Sequence, residues 1–175
     1  MTRSAGGIGQ IIEFRADGSM THWFAAMVEL TYVIQGPRVT TSFTPPQGGP
    51  VEEATTEVRY EGDVLIQKGT QSDAEIRMTR KRAGGPGDPP IVGVWTYPHE
   101  AGGTAFMMYT PDGRLIFRLP IRADRGRWSA SGDQLTLGAT ATARVTYRVR
   151  SGQLELTDAR GKQMTYTRAE IVEFQ

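Results

Sequence analysis

Apolar and polar positions alternate with a period of two along nearly the whole chain, and the alternating runs are short and separated by Gly, Pro, Asp and Ser. That pattern predicts strands rather than helices. The expected strands cover about 9–15, 19–27, 29–35, 38–44, 54–61, 63–68 and 74–81, then 91–97, 104–110, 113–119, 126–130, 134–138, 142–150, 153–157 and 162–168. Asp17-Gly18 and Asp112-Gly113 supply the positive φ of a tight hairpin turn, and Gly36, Gly62, Gly132, Gly152 and Gly161 mark further hairpins. The fold class is therefore all-β, an antiparallel up-and-down meander, which hides its edges best by closing into a barrel.

The order of landmarks repeats. Ala5-Gly6-Gly7 recurs as Ala101-Gly102-Gly103, Asp17-Gly18 as Asp112-Gly113, Tyr32 to Gly36 as Trp128 to Gly132, and Met78-Thr79-Arg80 as Tyr166-Thr167-Arg168. A tandem repeat of two small antiparallel barrels follows, with a first copy at 1–82, a linker at 83–90 and a second copy at 91–175. The Pro- and Gly-rich stretch Lys81 to Pro90 lies between the copies and cannot continue a central strand. Thr44 to Glu53 is an insertion of the first copy, expected as a surface loop.

Composition narrows the chemistry. The chain has no cysteine, so disulfides, thiolate metal sites and cysteine nucleophiles are excluded. The net charge is +1, with nine basic and ten acidic residues in 1–83 and eleven and nine in 84–175. Neither half is a basic nucleic-acid module. No apolar run reaches the length of a spanning helix, and the first ten residues carry no export signal, so the chain is cytoplasmic if its start is native. No catalytic, phosphate-binding or dinucleotide-binding motif is present, and two histidines without carboxylate spacing make no metal site. No cofactor is expected.

After the expected linker come Gly93-Val94-Trp95, then Phe106 to Phe117 with Asp112-Gly113 inside it, and at the far end Arg168. This order resembles the lipocalins and the wider calycin group, and the Tyr109 to Leu115 run is similar to bacterial lipocalin-like domain proteins. The resemblance covers the second copy. It implies an eight-stranded barrel closed at one end by Trp95 with Arg168 packed over its ring. A guanidinium on an indole is worth about 0.5–2 kcal/mol. The first copy keeps Arg80 but has no Gly-x-Trp strand, and Ile171 to Phe174 is one candidate to stand in for it.

The resemblance implies a binding module for a small apolar or amphipathic molecule. Met20, His22, Phe24 and Met27 in one copy, with Phe106, Met108, Leu115 and Phe117 in the other, supply large and adaptable candidate ligand surfaces. Arg114 and Arg118 would grip an anionic head group if they share a strand face. A barrel enzyme would need His22, Glu29, Tyr32 or Tyr60 to converge on one cavity. A structural protein with packed barrels, including a homodimer, is the third reading.

Overall fold

The computed structural model describes residues 2–3, 7–45, 48–70, 74–138 and 141–168. Among these residues there is no helix. The strands are β1 (Thr2–Arg3), β2 (Ile8–Phe14), β3 (Ser19–Gln35), β4 (Arg38–Phe43), β5 (Glu52–Glu61), β6 (Val64–Gly69), β7 (Glu75–Ala83), β8 (Gly93–Pro98), β9 (Thr104–Tyr109), β10 (Arg114–Ser131), β11 (Gln134–Gly138), β12 (Thr142–Arg150), β13 (Gln153–Thr157) and β14 (Gln163–Thr167). Each pairs with the next, so sheet order is chain order, and β3 pairs in addition with β10.

The turns form where the sequence places positive φ. Gly18 has φ 77° and Gly113 has φ 81°. Asp17 closes its turn by accepting from the Ser19 hydroxyl at 2.6 Å and the Ser19 amide at 2.9 Å, and these hydrogen bonds hold its carboxyl below the ordinary value. Two expected breaks are absent. The runs 19–27 and 29–35 form the single strand β3, and 113–119 with 126–130 form the single strand β10. Val28 and the segment Pro120 to Arg125 contain no glycine or asparagine to enter the left-handed region, so nothing local reverses the chain.

The chain groups into two compact units, a central one of Met27–Leu119 and a terminal one of Met1–Ala26 with Pro120–Gln175. These boundaries differ from the expected 1–82 and 91–175, and they fall inside β3 and β10. Residues 83–90 are not a boundary between units. They connect β7 to its antiparallel neighbour β8, and the loop is built: Gly84 N donates to Val92 O at 3.0 Å, and Gly85 N to Asp88 Oδ2 at 2.7 Å. The segment Ile171 to Phe174 lies outside the described residues.

In the central unit, pairing runs from residues 27–35 of β3 through β4 to β9 and into the start of β10. There Tyr32 N donates to Gly113 O at 2.7 Å, bringing the last segment back to the first. Its core joins Tyr32, Val39, Leu65, Met78, Ile91, Trp95, Tyr109 and Leu115. Fully buried side chains such as Leu65 and Met78 each stabilise the fold by about 1.5–3 kcal/mol.

The terminal unit follows the same order. β2 pairs with the first half of β3, Trp128 N of β10 donates to Gly18 O at 2.9 Å, and β11 to β14 follow. Leu135, Val145, Leu156 and Tyr166 form its core, with Ile12, Phe14, Trp128 and Leu154 packed against them. The Phe14 and Trp128 rings meet edge to face at 5.3 Å, and Trp128 Nε1 donates to Arg15 O at 2.9 Å.

Candidate functional site

In the terminal unit, antiparallel register decides which side chains share a face. Phe14 lies opposite Met20, Ile12 opposite His22 and Gln10 opposite Phe24, and directly opposed residues point the same way. Met20, His22 and Phe24 therefore share the face of Ile12 and Phe14. On it, His22 Nε2 lies 3.1 Å from Gln10 Oε1, and the Tyr166 hydroxyl donates to the same oxygen at 3.3 Å. An amide oxygen accepts, so His22 carries its proton on Nε2 and presents Nδ1 as an acceptor.

The surroundings favour the uncharged form of this histidine. Burial pushes its pKa below the ordinary value; Asp124 opposes the shift and Arg122 adds to it. Arg122 lies over the Phe24 ring at 4.8 Å and pairs with Asp124 at 2.6 Å. The Phe24 ring in turn lies 4.7 Å from His22. Burial also raises the Tyr166 pKa, so that hydroxyl stays protonated and able to donate.

Tyr166 reaches two places at once. Its hydroxyl ends on Gln10, and the residue lines a concavity of about 470 Å³ with Ile12, Phe14, Leu154, Glu13 and Arg168. The volume falls within the roughly 300–1,000 Å³ of small-molecule sites. Glu13 is paired with Arg15, whereas Arg168 has no carboxylate partner among the described residues. A second concavity of about 250 Å³ is lined by polar residues of β12 to β14.

The eight expected ligand residues do not converge. Met20, His22 and Phe24 lie in the terminal unit, whereas Met27, fully buried, belongs to the central one. Leu115 pairs with Tyr109 and Phe117 with Met107 on one face, while Met108 pairs with Ile116 and Phe106 with Arg118 on the other. Alternation sends adjacent strand residues to opposite faces, so Phe106 and Met108 cannot share a lining with Leu115 and Phe117. Leu115 is part of the central core, and none of the eight lines either concavity described above.

The expected Trp95 and Arg168 pairing is replaced. The Arg80 guanidinium lies 4.3 Å over the Trp95 ring, because β7 is the strand beside β8 and Arg80 is the register partner of Trp95. The indole donates to Ile91 O at 2.7 Å. Arg80 Nε faces Asp63 at 3.4 Å, an ion pair without hydrogen-bond geometry. Gly93 is required two residues earlier: its φ is 138°, and a Cβ there would sit 2.3 Å from Arg82 O. Arg168 instead lines the terminal concavity.

The other candidates have partners too. Arg118 is buried, donating to Glu29 at 3.1 Å and to Phe117 O at 2.9 Å, and Arg114 pairs with Asp112 at 2.9 Å. With their charge engaged by carboxylates, these arginines form no anion grip. Glu29, Tyr32 and Tyr60 lie in the central unit and His22 in the terminal one, so the enzyme set does not fall within one unit. Gln10, Tyr166 and Asp124 were not expected at a site, and Arg122 stood out only as one of a dense arginine group, although the Arg122 and Asp124 spacing on one strand face could have flagged that pair.

Among the described residues no group of three His, Cys, Asp or Glu side chains could hold a metal ion. Among the described residues no helix is long and apolar enough to cross a membrane. Compared with protein-family models, with curated proteins and with solved structures, the chain matches none of them.

Proposed function

We propose that the protein is a lipocalin-like binding module built from two small antiparallel barrels in tandem repeat, and that the terminal unit binds a small apolar or amphipathic molecule. The returning ladder of the central unit supports the barrel part of the reading, as does the Arg80 guanidinium over Trp95. Equivalent registers support the repeat: Leu65 lies opposite Met78 as Leu154 lies opposite Tyr166. On this reading each barrel draws strands from both copies. The central barrel takes β3 to β7 from the first and β8, β9 and the start of β10 from the second. β3 and β10 are each one unbroken strand where a hairpin would have kept each copy to itself.

The observation that carries ligand binding is the concavity of about 470 Å³, joined through Tyr166 to the half-buried Gln10 and His22 pair. Apolar walls would hold a hydrocarbon body, and Gln153, Tyr166 and Arg168 of the lining supply a few placed polar groups for orientation. The central unit contributes a packed closure under Arg80. Titration with a dansyl-labelled fatty acid, followed by displacement with lipid extracts, tests the reading alongside native mass spectrometry of freshly purified protein. Saturable uptake weakened at least tenfold by Ile12→Gln is expected. Absence of both probe uptake and any co-purified mass would refute it.

A further inference from the structure

A polar pair is buried inside the central unit with only part of its hydrogen-bonding capacity used. On the core side of β6, Gln67 is 7% exposed, and its Nε2 donates at 2.6 Å to the hydroxyl of Tyr109, itself 1% exposed. An amide side chain offers an acceptor oxygen besides its N–H groups, and a phenol offers a proton besides its lone pairs. Neither side chain makes another side-chain hydrogen bond among the described residues, so the Gln67 carbonyl oxygen has no donor and the Tyr109 hydroxyl proton no acceptor. Buried polar atoms left in this state favour any group that can pair with them.

Register places apolar side chains on the same side as this pair. Val58 and Ile76 lie directly opposite Gln67 on β5 and β7, and Met107 lies opposite both Trp95 and Phe117. Tyr97 follows Trp95 by two residues, and Leu30 precedes Tyr32 by two. Opposed residues, and residues two apart on one strand, point to one face. At this end the core is not sealed: Ile76 is 41% exposed, and Leu30, Val58, Tyr97, Met107 and Phe117 are partly exposed. Two residues further along β6, β7 and β8, by contrast, Leu65, Met78 and Trp95 are fully buried. The His99 ring lies 6.0 Å from the rings of both Tyr97 and Phe117, so the open end carries a run of aromatic surface. Below it, burial pushes the Tyr109 pKa well above the ordinary value, and the residues bearing on it electrostatically are Tyr32, Tyr60 and Tyr97, none of them charged at neutral pH.

We infer that this end of the central unit is a second binding site, taking a small uncharged aromatic alcohol whose ring lies among Tyr97, His99 and Phe117 and whose hydroxyl reaches Gln67 and Tyr109. A hydroxyl donates and accepts at once, which matches the carbonyl oxygen and the phenol proton that the pair leaves over. A carboxylate has no proton for the Gln67 oxygen, and it would lose its hydration without gaining a cation. The terminal concavity differs in this respect, because Arg168 stands in its lining. The inference goes beyond ligand binding by the terminal unit and does not rest on it.

The test is fluorescence titration of the whole protein with 2-naphthol at neutral pH, with naphthalene and 2-naphthoate as competitors. Saturable uptake of 2-naphthol is expected, with both competitors at least tenfold weaker, since a site built to pair a hydroxyl rejects analogues that lack it. Gln67→Leu and Tyr109→Phe should each weaken uptake at least tenfold. Ile76→Arg, at an exposed position, should do the same without touching the buried pair, whereas Ile12→Gln in the terminal concavity should leave uptake unchanged. No saturable uptake would overturn the inference, as would naphthalene binding as tightly as 2-naphthol. Uptake lost in Ile12→Gln but kept in Gln67→Leu and Ile76→Arg would assign the probe to the terminal concavity and sink the second site while leaving the first.

Discussion

Replacing Trp95 by phenylalanine isolates the closure of the central unit, because the ring stays apolar while the indole N–H and part of the stacking surface are lost. Trp95 is fully buried and its Nε1 donates to Ile91 O at 2.7 Å, so Trp95→Phe leaves that carbonyl without its partner. An unsatisfied buried acceptor costs about 1–3 kcal/mol. The smaller ring leaves a void of roughly 40 Å³, about 1 kcal/mol at the usual cavity coefficient. Weaker attraction for the Arg80 guanidinium, now 4.3 Å from the ring, removes about 0.5 kcal/mol more. The expected loss is about 3 kcal/mol in urea unfolding followed by circular dichroism. Amide exchange in β7 and β8 should accelerate by the corresponding factor of about a hundred or more. A double-mutant cycle with Arg80→Leu should give a coupling of about 0.5–2 kcal/mol. A loss under 1 kcal/mol, or additive single effects, would refute the argument that guanidinium, indole and Ile91 carbonyl act as one closure.

Gly93→Ala should destabilise by more than about 2 kcal/mol and lower the soluble yield, since a Cβ would collide with Arg82 O at a backbone φ of 138°; an unchanged urea midpoint would contradict this. Gly36→Ala, with φ 60° but nothing within 4 Å of its Cβ, should cost only about 1 kcal/mol in the same assay. Because burial holds the folded His22 pKa below the ordinary histidine value of 6.5, the unfolded chain holds more protons between the two values. The His22 contribution to stability is thus fully present above pH 6.5 and declines as pH falls through 6.5 toward the folded value. Urea midpoints from neutral to mildly acidic pH should therefore drop less steeply in His22→Gln than in the parent. The His22 ring protons should titrate below 6.5 by NMR.

Hairpins were legible because their cause is local. A turn needs a residue that enters positive φ without a clash, and Gly18, Gly36, Gly62, Gly113, Gly132, Gly152 and Gly161 all do so. Strand positions followed from alternation for the same reason, and the Gly93 and Trp95 pair announced a closure. What alternation could not reveal is the neighbour across a face. Tyr166 reaches Gln10 across 156 residues of sequence, and Trp128 docks on Arg15 across 113.

The sequence by itself determined an all-β chain and its turns, because steric preferences and side-chain period act over a few residues. Tertiary structure alone decided that β3 and β10 are each one unbroken strand, that Trp95 lies under Arg80, and that His22 meets Gln10 and Tyr166. Those outcomes depend on which edges pair, and edge pairing is a competition among backbone hydrogen bonds that every strand can offer equally well. Burial of whole faces settles that competition, and burial exists only once the strands have met.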